Sequence, residues 1–99
     1  MLKSKVVKII GAGLAGCEAA YFLAEHGIKV KLYEMKSIKR TEAQQSDNFA
    51  ELVCSNSLKS DQKTSASGLL KAELEALDSL ILKCAKLTRV PAGNSLSVD

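Results

Sequence analysis

The sequence predicts an α/β fold, built on a βαβ unit with parallel strands that is incomplete within these 99 residues. Two observations predict it. A short apolar strand at residues 6–10 runs into a glycine-rich turn at residues 11–16, and a helical pattern continues to residue 26. A second strand at residues 28–33 then alternates apolar and polar side chains. A strand, a helix and a second strand in this order form the parallel unit of Rossmann-like domains.

The glycine-rich turn has the spacing Gly-x-Gly-x-x-Gly, which suits the pyrophosphate of a dinucleotide. Gly11 permits the tight turn, Gly13 lets the backbone approach the phosphates, and Gly16 lets the helix lie close to the strand. The first-turn N–H groups and the positive end of the helix dipole then face the negative charge. The predicted cofactor-binding residues are the six of this turn and one acidic residue downstream: Gly11, Ala12, Gly13, Leu14, Ala15, Gly16 and Glu34.

Glu34 follows Gly16 by 18 residues and ends the second predicted strand. A carboxylate at this position can accept hydrogen bonds from the ribose hydroxyls of the adenosine half of FAD or NAD. Its charge would repel the 2′-phosphate of NADP. The alternative is a solvated acid at the end of a strand, but the glycines upstream favour the ribose role.

The rest of the chain predicts fewer elements. We expect Gly27 to end the first helix in a left-handed conformation, with His26 exposed beside it. Residues 36–67 have little regular pattern, and the basic cluster of Lys36, Lys39 and Arg40 fits a solubilising loop. Residues 68–86 predict one amphipathic helix, with Cys84 among its apolar residues. Its predicted solvent-facing side is formed by charged residues, namely Lys71, Glu73, Glu75, Asp78 and Lys83. Alternating residues Leu96 and Val98 suggest a last strand.

Composition excludes several classes of function. The net charge of +3 is too mild to argue by itself for nucleic-acid binding. No apolar run is long enough to span a membrane and no signal peptide is visible, so we expect a cytoplasmic protein without a membrane partner. The three widely spaced cysteines predict reduced thiols rather than disulfides or a metal site.

Cys54 lies in a short segment, residues 51–57, whose side chains combine its thiol with the hydroxyl groups of Ser55 and Ser57 and the amide of Asn56. A thiolate is a strong nucleophile when a cation, a base or a helix N-terminus lowers its pKa. Without such a partner, a cysteine beside a turn is more often inert. Its neighbours Asn56 and Ser57 could hydrogen-bond a heterocycle or cap a helix.

The chain resembles a known family over nearly its whole length. Its motifs look like the N-terminus of the folate- and FAD-dependent tRNA (uracil-5-)-methyltransferases. The similar segments, in order, are residues 11–20, 32–35, 49–58, 68–71, 77–81 and 90–93. The first is shared with many flavoproteins, whereas residues 51–57 around Cys54 are much more specific. Gln44 and Gln45 depart from the family pattern, which often has histidines there.

The resemblance implies that residues 1–99 are the N-terminal part of an FAD-binding domain in a longer enzyme, with no protein partner predicted. The implied reaction methylates C5 of the T-loop uridine in tRNA. Methylenetetrahydrofolate supplies the carbon, and FAD reduced by NADH or NADPH supplies the electrons. Cys54 matches a cysteine linked to catalysis, with its role open among attack on the base, proton transfer and protection of an intermediate. A second reactive cysteine would lie beyond residue 99, so these residues alone should be inactive.

Three alternatives remain open at this point. The same folate and flavin chemistry could act on ribosomal RNA, although tRNA fits better. The glycine motif alone would also support another FAD- or NAD-dependent oxidoreductase. Finally, the chain could be an inactive nucleotide-binding module.

Overall fold

A computed structural model describes residues 5–53 and 55–99. The chain divides into two compact units, Met1–Cys54 and Ser55–Asp99. Each unit has its own sheet and is described separately.

The first unit is a βαβ arrangement. Its elements are β1 (Val6–Ile10), α1 (Leu14–Glu25) and β2 (Lys29–Tyr33). The two strands pair in parallel, with Ile10 opposite Tyr33 at their carboxyl ends. The predicted α/β class and parallel strands are therefore present in the structure.

Alternation along both strands explains how this unit packs. The half-buried residues share one side of the sheet and are Val7, Ile9, Val30 and Leu32. Their neighbours along the strands are exposed. The helix α1 ends at Glu25 with His26 as its C-cap, and Gly27 follows with a φ of +74°, as its predicted role at the helix end requires. His26 is exposed, as predicted, and its Nδ1 lies 2.7 Å from the carbonyl oxygen of Phe22.

The second unit places two helices against an antiparallel sheet. Its elements are β3 (Ser57–Ser60), α2 (Ala66–Ala76), α3 (Leu80–Leu87), β4 (Arg89–Val90) and β5 (Ser95–Val98). The strand order is β3-β5-β4, so β5 is central. The predicted strand at Leu96 and Val98 is correct.

The prediction of one helix over residues 68–86 was wrong, because α2 and α3 are separate helices. Asp78 adopts a φ of +67°, which an α-helix does not contain. Ser79 then begins the next helix, its side chain accepting a hydrogen bond from the Leu82 backbone N–H at 3.2 Å. A serine at this position satisfies one of the first-turn donors of α3.

The core of the second unit is small and differs from the predicted apolar face. Leu82, Ala85 and Leu96 are buried, and Leu58, Leu74 and Val98 pack against them. Cys84, which we expected on the apolar side of this helix, is exposed, and so are the apolar residues Leu69, Leu70, Leu77 and Leu87. The break at Asp78 changes the direction of the chain, so the periodicity of one continuous helix no longer applies.

Lys71 is a second correction in this unit. We expected it on the wetter side of the helix, but only 9% of it is exposed. Its Nζ donates to the carbonyl oxygens of Ser60 at 3.0 Å and Ser67 at 3.4 Å. Burial lowers the pKa of Lys71. The amine therefore links the end of β3 to α2 instead of facing solvent.

None of the helices in the two described ranges is both long and apolar enough to cross a membrane.

Candidate nucleotide-binding site

The turn between β1 and α1 is held to the end of β2 by its first glycine. The Gly11 N–H donates to the Tyr33 carbonyl oxygen at 2.7 Å, and the φ of Gly11 is +99°. This φ favours glycine over any residue with a side chain. A Cβ on Gly16 would lie 1.8 Å from the carbonyl oxygen of Gly11, so the helix rests directly on the turn. The backbone conformation of Gly11 and the close packing at Gly16 are those that a turn of this kind needs, and their part in binding a cofactor stays a prediction.

The N-terminus of α1 is suited to an anion. Gly13 occupies the N-cap position and has no side chain that could accept a hydrogen bond from the first helical turn. Apart from Gly13 itself and its two chain neighbours, no described atom lies within 4 Å of the position that a Cβ on Gly13 would take. The first turn, which includes Leu14 and Ala15, also contains no acidic residue. Among the described residues no side chain caps the first-turn N–H groups, so these groups and the positive end of the helix dipole are suited to an anion beside Gly13.

Glu34 lies beside this turn and is already hydrogen-bonded to it. Its Oε1 accepts from the Ala12 N–H at 2.9 Å, and its Oε2 accepts from the Lys36 N–H at 2.9 Å. The hydrogen bond from Ala12 is the main reason that the pKa of Glu34 is lowered, with a further contribution from Lys36. The Met35 N–H also contributes a hydrogen bond, and the carboxylate is charged at neutral pH. A carboxylate has about four acceptor sites, more than these three N–H groups use.

Ala12 is fully buried. Both its backbone N–H and its backbone carbonyl oxygen form hydrogen bonds. Its N–H donates to Glu34, and its carbonyl oxygen accepts from the Ala50 N–H at 2.8 Å and from the Cys17 thiol at 3.3 Å. Burial raises the pKa of the Cys17 thiol, so it stays protonated and serves here as a hydrogen-bond donor. Ala50 adopts a φ of +54°, an uncommon conformation for a residue with a side chain.

Lys36 is the residue of this site that the sequence did not reveal. We expected a solvated lysine, but it is 5% exposed. Its Nζ donates to the Asn48 carbonyl oxygen at 2.8 Å and to Glu51 Oε1 at 2.7 Å. This contact is the main reason that the pKa of Glu51 is lowered. Within the same predicted cluster Lys39 is exposed, as expected.

Glu51 also holds the loop that precedes it. Its Oε2 accepts from the Gln45 N–H at 2.9 Å, and its Oε1 accepts from the Ser46 N–H at 3.3 Å. Farther along the loop, Arg40 pairs with Asp47. Residues 36–51 therefore have a specific hydrogen-bonded structure, although their polar sequence has no periodicity that would have predicted these contacts.

Cys54, the predicted catalytic residue, lies outside the described residues. Its neighbours in the second unit bond to the sheet there. The Asn56 Nδ2 donates to the Val98 carbonyl oxygen at 3.0 Å, and the Ser57 hydroxyl lies 2.6 Å from the Ser95 hydroxyl. Neither side chain caps a helix. Within residues 5–53 and 55–99, His, Cys, Asp and Glu side chains form no group of three that could hold a metal ion.

Comparison with known protein families gives a match over residues 6–99 to the family described as "Glucose inhibited division protein A". This chain belongs to that family. The membership agrees with the predicted Rossmann-like α/β fold, of which the βαβ unit is the described part.

Several curated relatives of this glucose-inhibited division protein A family member share a single name. They are the proteins named methylenetetrahydrofolate–tRNA-(uracil-5-)-methyltransferase TrmFO from Streptococcus pneumoniae strain Hungary19A-6, serotype 19F strain G54 and serotype 2 strain D39. Each is 58% identical over 98 residues, covering 99% of this chain. The chain spans 22% of the length of these relatives. The predicted resemblance is thus confirmed.

Proposed function

We propose that this chain forms the nucleotide-binding part of an enzyme that methylates C5 of the T-loop uridine in tRNA. The observation that carries the proposal is the uncapped N-terminus of α1 beside the charged Glu34, in a chain 58% identical to proteins named as tRNA (uracil-5-)-methyltransferases. The proposed location is the cytoplasm, where reduced cysteines are the rule.

The donors and acceptors at this site fit FAD. The N–H groups of Leu14, Ala15 and Gly16 would hold the pyrophosphate, and the open space at Gly13 would let it approach the backbone. Gly11 and Ala12 would maintain the turn. Glu34 would accept a hydrogen bond from a ribose hydroxyl, because a carboxylate has about four acceptor sites and three backbone N–H groups, those of Ala12, Met35 and Lys36, already use some of them.

The proposed co-substrates are methylenetetrahydrofolate, which carries the carbon, and NADH or NADPH, which supplies the electrons. Bound FAD would pass those electrons on, so that the transferred one-carbon unit becomes a methyl group. The part of this chain is to bind and orient the cofactor.

Cys54 is the proposed catalytic residue. Addition of its thiolate to C6 of the uracil would make C5 electron-rich enough to attack a one-carbon electrophile. Proton transfer and protection of an intermediate are the other roles that a thiol could have here. The specific sequence of residues 51–57 supports a part for Cys54 in the reaction.

The test uses the full-length, FAD-loaded protein with an unmodified tRNA transcript and methylenetetrahydrofolate labelled in its transferable carbon. We expect labelled 5-methyluridine in the T-loop, dependent on NADH or NADPH. A ribosomal RNA transcript serves as the comparison substrate. Product on ribosomal RNA alone, or no product from flavin-loaded protein, would contradict the proposal.

A further inference from the structure

The backbone of Ala12, within the glycine turn, is held from two sides by different parts of the chain. Its N–H donates to Glu34, which follows β2, at 2.9 Å. Its carbonyl oxygen accepts from the Ala50 N–H at 2.8 Å, near the end of the loop of residues 36–51. The loop is therefore bonded directly to the turn that would bind the pyrophosphate.

Lys36 connects these two sides through its backbone and its side chain. Its N–H donates to Oε2 of Glu34 at 2.9 Å, and its Nζ donates to the Asn48 carbonyl oxygen at 2.8 Å. Asn48 precedes Ala50 by two residues, so the hydrogen bonds return to the turn. They form a closed ring, whose members in order are Ala12, Glu34, Lys36, Asn48 and Ala50.

The ammonium group of Lys36 is the charged member that holds the loop in this ring. Only 5% of Lys36 is exposed, and burying an ammonium group is unfavourable unless it is paired and hydrogen-bonded. Its Nζ meets both conditions, since it also pairs with Glu51 Oε1 at 2.7 Å. Glu51 accepts in addition from the N–H groups of Gln45 and Ser46. Removing the ammonium group would leave a buried carbonyl oxygen and a carboxylate without this partner and would loosen residues 45–51.

We infer that Lys36 is a positioning residue for the bound dinucleotide. It acts through Glu34, whose carboxylate its N–H holds, and through the loop, whose Ala50 holds the turn at Ala12. When the loop loosens, the carboxylate for the ribose and the turn for the pyrophosphate are no longer kept together, so bound FAD should leave faster. The inference rests on the proposed function for the identity of this ligand.

The experiment uses the full-length, FAD-loaded protein and three variants of the charged pair. Lys36→Met keeps the aliphatic length and removes the charge, whereas Lys36→Arg keeps a charge that can donate to both acceptors. Glu51→Gln removes the partner charge and keeps the size of the side chain. The readouts are the rate of FAD release on dilution, the hydrogen exchange of residues 45–51 and the melting temperature.

Two further lysines provide matched controls. Lys39→Met removes the same charge from an exposed lysine three residues away. Lys71→Met removes a buried ammonium group that also donates to two backbone carbonyl oxygens, those of Ser60 and Ser67. None of these described bonds belongs to the ring, so Lys71→Met measures what a general loss of stability does to FAD release.

We expect Lys36→Met to release FAD about tenfold faster and to exchange residues 45–51 about tenfold faster, because a charge-assisted hydrogen bond is lost. Glu51→Gln should accelerate both by less, since Asn48 still accepts from Lys36. Lys36→Arg and Lys39→Met should remain within about twofold of the wild type, because the charged contact is kept or was never involved. Lys71→Met should lower the melting temperature without changing the rate of FAD release.

FAD release at the wild-type rate in Lys36→Met would overturn the inference, and so would equal acceleration in Lys36→Arg or Lys71→Met. If Lys36→Met fails to fold, the comparison of Glu51→Gln with Lys71→Met decides. A wild-type protein that takes up no FAD would overturn both proposals. FAD release needs no turnover, so a flavin-loaded protein that makes no 5-methyluridine contradicts the methylation alone, while faster release from Lys36→Met still supports the positioning role.

Discussion

Gly13 and Gly16 belong to one motif but have different surroundings. A Cβ on Gly16 would lie 1.8 Å from the Gly11 carbonyl oxygen, whereas one on Gly13 would meet open space among the described residues. We expect Gly16→Ala to destabilise the protein by about 1–3 kcal/mol, because α1 must move away from the turn. Gly13→Val should meet no such clash and should cost less stability, since only the N-cap preference for glycine is lost, but it should abolish FAD retention because its branches would occupy the space of the pyrophosphate.

Thermal unfolding and the flavin content of the full-length protein check this pair, with each variant as the control for the other. A Gly13→Val protein that keeps stoichiometric flavin would refute the assignment of the site. A Gly16→Ala protein with the wild-type melting temperature would show that the close approach is unimportant.

Glu34 predicts a pH dependence at the same turn. Its pKa is lowered in the folded protein by the Ala12 and Lys36 N–H groups, so the folded state favours the charged form. Its stabilising contribution is therefore complete above the ordinary glutamate pKa of 4.5 and is lost as the pH falls through the lowered value. Glu34→Gln should remove this contribution, because an amide would place a donor against one of those two N–H groups.

The measurement is the urea midpoint of the wild type and of Glu34→Gln across the acidic range. We expect the difference between them to be constant above pH 4.5 and to shrink below it. The pKa of Glu51 is lowered as well, but it is common to both proteins and cancels in the difference. Parallel curves down to the most acidic pH would contradict the prediction.

Among single residues, those whose role depends on local backbone geometry could be predicted from the sequence. Residues whose side chains bond to partners distant in the sequence could not. The spacing of the glycines reflects local geometry, so Gly11 and Gly16 were correctly interpreted. Lys36 and Lys71 are buried through bonds to residues 11 to 15 positions away. A charged residue in a polar segment gives no sign of such a partner, because its typical position is in solvent.

The elements of the first unit were predictable because their patterns are local and agree with one another. Alternation in both strands, the glycine turn and Gly27 all indicate the same βαβ unit. The separation of α2 from α3 in the second unit was not predictable, because the apolar periodicity of α2 continues into α3 almost unchanged. The break depends on Asp78 in a left-handed conformation, which its sequence context does not signal, and on Ser79, which also occurs within helices.

Ser79 provides the test of this break. Its side chain accepts from the Leu82 N–H at 3.2 Å and is the N-cap of α3. Ser79→Ala should lower the free energy of unfolding by about 1 kcal/mol, the usual cost of losing a cap. Ser79→Asp, which can still accept this hydrogen bond, is the control and should lose much less. Equal urea midpoints for Ser79→Ala and the wild type would mean that the cap does not stabilise α3.

For the whole molecule, the fold class followed from the sequence, whereas the reaction depends on the resemblance. The described residues contain a nucleotide-type turn but no group that by itself identifies tRNA or folate as a substrate. The chain spans 22% of the length of these relatives, so the resemblance concerns their N-terminal part.

Cys54→Ala in the full-length protein separates cofactor binding from catalysis. We expect FAD to stay bound, because Gly11, Gly13 and Glu34 are unchanged. Methylation of tRNA should fall by about 100-fold or more, as is usual when a nucleophile is removed. Flavin absorbance and 5-methyluridine formation are the two measurements, and Cys84→Ala, at an exposed cysteine, is the matched control. Normal turnover in Cys54→Ala would make Cys54 a packing residue.

The backbone hydrogen bonds of Ala12 affect how this molecule would bind its ligand. Because its N–H and carbonyl oxygen are both engaged within the protein, the turn loses its conformational entropy during folding rather than on association. A preorganised receptor of this kind needs little reordering when a ligand arrives, so more of the contact energy is available as affinity.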